Sequence, residues 1–121
     1  MKVKIDTKEK MHVITLEGKI LAANMTEDIQ RVLFPFLETP VKNVVLNLEK
    51  VNAIDESAAN TLLNIQQRFY DTNNSMVLCN LQKQVKQFLE EKEILEEMNV
   101  APTESEASDI VQMEEIEREL F

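Results

Sequence analysis

The chain has one glycine, Gly18, among 121 residues. That scarcity excludes the GxxxxGK[ST] and GxGxxG loops, which need several glycines to bring backbone amides up to nucleotide phosphates. Cysteine is equally scarce. Cys79 stands alone in a strand-like apolar run, so no internal disulfide can form and a reducing, cytoplasmic setting is expected. The lone histidine, His12, lies 67 positions from that cysteine, and neither a metal cluster nor a thiol–imidazole pair can be read from such spacing. No apolar run exceeds four residues, against the roughly 20 needed to span a bilayer. The opening MKVKIDTKEK is basic and has no apolar core of a secretory signal. Composition therefore points away from conventional catalysis, metal or cofactor binding, and membrane insertion.

Positive charge is missing where charge is densest. Thirteen Lys and Arg face 22 Asp and Glu, for a net charge of −9. Residues 1–89 hold eleven basic and ten acidic side chains, whereas residues 90–121 hold two and twelve. With no basic stripe, neither a nucleic acid nor an anionic membrane surface is an expected partner. A protein partner is compatible with this distribution. The 44% apolar and 29% charged content suits one domain over residues 1–121 with one modest core.

Hydrophobic periodicity predicts the order of elements. Val3–Asp6 and His12–Glu17 read as two strands joined by the charged turn TKEK, with Gly18 ending the second in a conformation other residues avoid. His12 shares parity with Ile14 and Leu16 and is expected to be partly buried or at an edge. Asn24 with Glu27 forms a capping-box pattern, followed by Met25, Ile29, Val32, Leu33 and Phe36 at helical spacing. Pro35 should kink or end that helix. Asn43–Leu48 is almost continuously apolar, as in a central strand covered on both faces.

A second helix over about Glu56–Tyr70 buries Ala58, Leu62, Ile65 and Phe69, and ends at the asparagines of DTNN. Met76–Cys79 is a strand, and Gln82–Glu91 is a helix burying Val85, Phe88 and Leu89. Met98–Ala101 reads as a short edge strand. Thr103 with Glu106 opens a last helix, about Glu104–Leu120. That helix carries Ala107, Ile110, Val111, Met113 and Ile116 on a broad apolar side, and Ile116, Leu120 and Phe121 are expected to pack over the sheet. Strands separated by helices imply right-handed parallel crossovers, hence an α/β fold. The helices are expected to gather on one face.

One junction carries unusual polarity. The strand NVVLNL runs into NAIDESAANTLL, where Asp55, Glu56 and Ser57 stand in a row. A helix cap accounts for all three. Asp55 can accept from the amide of Ser57 or Ala58, Glu56 favours the positive end of the helix dipole, and Ser57 is a tolerated early-helix residue. A modifiable switch is the alternative.

The hairpin, the helix and VVLNLEKVNAIDESAANTLLNIQQRF together resemble the STAS domain, and within it the bacterial anti-sigma-factor antagonists. Asp55-Glu56-Ser57-Ala58 matches the family's D-[ST]-[ST]-G-like turn. LEGKI at Leu16–Ile20 resembles its strand ending in L-x-G-x-[LI], and LCNLQKQVKQFLE its later strand and helix. The resemblance implies a mixed β-sheet of four or five strands with an N-terminal hairpin, packed against about four α-helices. It implies a non-enzymatic regulator, without cofactor, that binds a serine kinase doubling as an anti-sigma factor and frees a sigma factor. Phosphorylation at Ser57 ends that binding, and a serine phosphatase restores it. Partner contact is then expected on Asp55, Glu56, Ser57, Ala58 and Asn60, with oligomeric state left open.

In this sequence Glu56 stands where a second small hydroxyl residue is usual, Ala58 replaces a glycine, and Leu21 occupies a common aspartate position. Two other readings fit the same residues. One is an unphosphorylated STAS subunit that scaffolds a larger complex such as a lipid-transport machine. The other is a small-ligand binder or enzyme at the Asp55/Ser57 site.

Overall fold

The computed structural model describes residues 1–120. Two N-terminal strands, β1 (Val3–Thr7) and β2 (Met11–Leu16), form an antiparallel hairpin that pairs Val3 with Leu16 and Thr7 with His12. A very short strand β3 (Ile20–Leu21) follows, then helix α1 (Thr26–Leu33), strand β4 (Asn43–Asn47) and a second very short strand β5 (Ala53–Ile54). Helix α2 (Glu56–Asp71), strand β6 (Met76–Cys79), helix α3 (Lys83–Glu91), strand β7 (Val100–Ala101) and helix α4 (Glu104–Leu120) complete the order. The main sheet runs β1-β2-β4-β6-β7, with every pairing after the hairpin parallel.

Strand parity divides the core in two. Ile14, Leu16, Val44, Leu46, Met76 and Leu78 face α1, α2 and α3, and join Leu62, Ile65 and Phe69 of α2 in the larger cluster. Each such buried side chain contributes about 1.5–3 kcal/mol relative to exposure. The alternate residues Met11, Val13, Val45, Val77 and Cys79 face the other way and are covered by Ala107 and Val111 of α4. The helices therefore do not gather on one face. Central strands that are apolar on both sides require a cover on both, and α4 supplies the second. Burial pushes the Cys79 thiol up to about 12, with the Glu104 and Glu49 carboxylates adding to it.

The apolar side of α4 also proves to be two faces. Ala107 and Val111, four residues apart, meet the sheet. Glu114 and Arg118 continue that face and carry hydrogen bonds there. Tyr70 donates to Glu114 at 2.7 Å, and Arg118 donates to the Ser75 hydroxyl at 3.0 Å and to the Asn43 side-chain oxygen at 3.3 Å. Burial and the neighbouring Glu114 together raise the Tyr70 hydroxyl well above its ordinary range. Met113, Ile116 and Leu120 fall on another side and are 59%, 57% and 71% exposed. The expectation that Ile116 and Leu120 pack over the sheet is thus overturned, while Phe121 lies outside the described residues.

Smaller expectations divide in the same way. Asn73 takes the left-handed backbone after α2, with φ of 62°. Pro35 sits at the start of the 3-10 turn Phe34–Glu38, so α1 stops just before it. Thr103 accepts from the Glu106 amide at 3.2 Å, capping α4. Asn24 does not cap α1. It lies inside the 3-10 turn Ala23–Met25, and the residue at the helix start, Met25, offers no side-chain acceptor. Gly18 has no positive φ, so the proposed need for a glycine there fails. His12 is buried in the interior strand β2 and not at an edge. Its Nε2–H donates to the Val41 carbonyl at 2.7 Å, and its Nδ1 accepts from the Thr7 hydroxyl at 2.8 Å.

Candidate functional site

The Asp55–Asn60 stretch opens α2 just beyond the carboxyl end of β4, the end of a parallel sheet where α/β folds bind ligands and partners. Two short strands bring distant chain to it. β3 and β5 pair in parallel, Ile20 with Ala53 and Leu21 with Ile54. The Lys19 carbonyl accepts from the Asn52 amide at 2.6 Å, and the Leu21 carbonyl accepts from the Asp55 amide at 3.0 Å.

Asp55 closes the arrangement. Its backbone is extended (φ −94°, ψ 170°), as an N-cap requires, and its Oδ1 accepts from the Ala58 amide at 2.8 Å. Its Oδ2 accepts from the Ala23 amide at 2.7 Å, from a segment 32 positions earlier. One carboxylate thus caps α2 and fastens the Ile20–Met25 segment against it. Both oxygens are engaged by backbone amides, which makes Asp55 a structural bridge and a poor candidate for a free general base.

The other expected residues separate by burial. Glu56, Ser57 and Asn60 are exposed on the first turns of α2, while Ala58 is fully buried in the core and its amide is taken up by Asp55. The Ser57 carbonyl accepts from the Thr61 hydroxyl at 3.0 Å. By position, the Glu56 and Ser57 amides have no acceptor within the helix. The first turn therefore presents one carboxylate, one hydroxyl and the positive end of a helix dipole.

Ile20 was not anticipated as part of this surface. It is 59% exposed and pairs with the exposed Ala53 directly before the α2 turn. A two-residue strand is too short to show periodicity, so Ile20 was visible only as the last residue of the LEGKI stretch. Surface clefts of about 210 to 790 Å³ among the described residues are lined by residues other than Asp55 and Ser57. Among the described residues no helix is long and apolar enough to cross a membrane.

The same fold occurs in solved structures of low sequence identity. The Thermotoga maritima protein TM1081 is 19% identical over 91% of this chain and 94% of its own, with a TM-score of 0.76. The anti-sigma factor antagonist SpoIIAA in its unphosphorylated form is 21% identical over 92% of this chain and 96% of its own, with a TM-score of 0.70. A portion of the murine anion transporter Slc26a9 is 15% identical over 86% of this chain, but that match covers 18% of the transporter, with a TM-score of 0.73. No curated protein matches the sequence significantly. The family model of the STAS domain matches residues 2–107. With that match spanning the sheet, α1 to α3 and the Asp55–Asn60 turn, the chain belongs to the STAS domain family.

Proposed function

We propose that the chain is an anti-sigma-factor antagonist working by partner switching, with Ser57 as the phosphoacceptor. The observation that carries this reading is the exposed Ser57 hydroxyl on the first turn of α2, held in a fixed frame by the Asp55 bridge to Ala23. Unmodified, the surface of Glu56, Ser57 and Asp55 with Asn60 docks on a serine kinase that is also an anti-sigma factor. Phosphate on Ser57 adds about −1.5 to −2 charges. The dipole and free amides of the helix start make that charge tolerable within the domain. The same charge against a partner surface shaped for a neutral hydroxyl is repelled or poorly desolvated. Affinity then switches without a change of fold, and a serine phosphatase resets it. Catalysis belongs to the partners in this scheme, and the chain acts in the cytoplasm of a bacterial cell.

The test is incubation with ATP and the cognate serine kinase, followed by intact mass and site mapping. One added phosphate on Ser57, absent in Ser57→Ala, supports the proposal. No phosphate, or a phosphate elsewhere, overturns it. The likeness to a portion of an anion transporter favours one second reading, a STAS module built into a larger assembly. Stable co-purification with transport subunits, unaffected by Ser57→Asp, would support that reading instead.

A further inference from the structure

The outer face of α4 is apolar where a solvated helix would be polar. Met113, Ile116 and Leu120 recur at i, i+3 and i+7 and are each more than half exposed. Apolar anchors at that spacing are how one helix presents itself to another. The stripe begins beyond residue 107, where the match to the family model ends. It therefore lies outside the residues that the family model matches.

Its surroundings define what can cover it. Glu106, Asp109, Glu117 and Glu119 are exposed around the stripe. Among the described residues no Lys or Arg forms an ion pair with any of the four. A second copy would bring acidic rim against acidic rim, which is destabilising at an interface. An anionic lipid surface or a nucleic acid meets the same repulsion.

We infer that the exposed face of α4 docks a protein partner through an amphipathic, lysine- or arginine-flanked helix whose apolar side seats on Met113, Ile116 and Leu120. The basic flanks meet the four unpaired carboxylates. This surface is separate from the Ser57 turn, because α4 covers the opposite face of the sheet from α2.

Two synthetic helical peptides with the same leucine stripe, one flanked by lysines and one by glutamates, test this against the intact chain by calorimetry and amide-shift mapping. The lysine peptide should bind with its shifts centred on residues 106–120, at least tenfold more tightly than the glutamate peptide, and more weakly as salt rises. Ile116→Ser should weaken it at least fivefold while leaving the thermal midpoint unchanged, since Ile116 is exposed. Equal affinity for both peptides, no binding of the lysine peptide, or shifts centred on Asp55–Asn60 would each overturn the inference. So would a concentration-dependent dimer abolished by Ile116→Ser, or retention on anionic phosphatidylserine vesicles.

Discussion

Asp55 makes two separable contributions, and two substitutions divide them. As an N-cap, its Oδ1 satisfies the Ala58 amide, and losing such a cap to alanine costs about 1 kcal/mol. As a bridge, its Oδ2 satisfies the Ala23 amide, a bond worth about 1 kcal/mol net. Because Ala23 is exposed, water can take the vacated amide, so no further penalty for a buried unpaired donor is added to that figure. Asp55→Ala should therefore cost roughly 2 kcal/mol, which lowers the thermal midpoint by about 8 °C in a chain of this size. Asparagine caps helices as well as aspartate does. Its single carbonyl oxygen can serve Ala58, but its amide group then turns a donor towards the Ala23 donor. Asp55→Asn should accordingly cost about 1 kcal/mol, all of it from the bridge. Urea denaturation with a fixed slope measures both, and hydrogen exchange at the Ala23 amide should accelerate in both variants. An Asp55→Asn chain indistinguishable from wild type in stability and in Ala23 exchange would refute the bridge and leave Asp55 as a cap alone.

The remaining predictions probe the core, a loop and the proposed switch. With no accessible surface and a thiol pKa raised by burial, Cys79 should react with a disulfide reagent at pH 8 at least about a hundredfold more slowly in the native chain than in urea. The same shift means that the unfolded state loses this proton first, so stability falls as pH rises from about 9 towards 12. Cys79→Ala should flatten that fall, as read from urea midpoints across the range. Gly18 has an ordinary backbone, and a Cβ there would meet nothing nearer than 3.9 Å. Gly18→Ala should therefore stabilise the chain by about 0.5 kcal/mol, and a loss of more than that would mean that the loop needs glycine after all. If the switch acts through charge, the exposed carboxylate beside Ser57 already opposes docking. Glu56→Ser should then tighten binding to the anti-sigma kinase about two- to fivefold at low salt, whereas equal affinities would remove the charge argument.

What the sequence made legible was whatever it repeats locally. Val44, Val45 and Leu46 announce a strand covered on both faces, and Leu62, Ile65 and Phe69 announce a buried helix side. From these the parallel order follows, because strands separated by helices have few other ways to close a sheet. Asp55 as a cap was legible for the same reason, since residue type and position suffice. The second oxygen of Asp55 was not, because its partner Ala23 lies 32 positions away and an alanine amide has no sequence signature. Nor were β3 and β5, each only two residues long. On α4, composition suggested a single broad apolar side. The spacing of Ala107 and Val111 against Met113, Ile116 and Leu120 contains the division into two faces. Which of them meets the sheet is shown by the burial of Ala107 and Val111 and by the polar anchoring of Glu114 and Arg118 on the same side.

That anchoring also fixes where the two proposed surfaces stand. Asn47, at the carboxyl end of β4, donates to Glu104 at the start of α4, and Asn43, at the other end of β4, donates to Glu115 near its finish. The helix therefore runs back along the sheet, carrying Met113, Ile116 and Leu120 away from the end where α2 begins. The Ser57 turn and the α4 stripe lie on opposite faces and towards opposite ends of the strands. Two ligands so placed share no contact, and the strands between them, β2, β4 and β6, are buried on both faces and offer no second arrangement to bias. Their coupling free energy should then be close to zero, in both directions by linkage. Ser57→Asp should leave the lysine-peptide affinity unchanged within twofold, while abolishing binding to the anti-sigma kinase. A tenfold change in peptide affinity would mean that α4 responds to the switch, and that its docking on Asn43, Ser75 and Tyr70 is a movable contact.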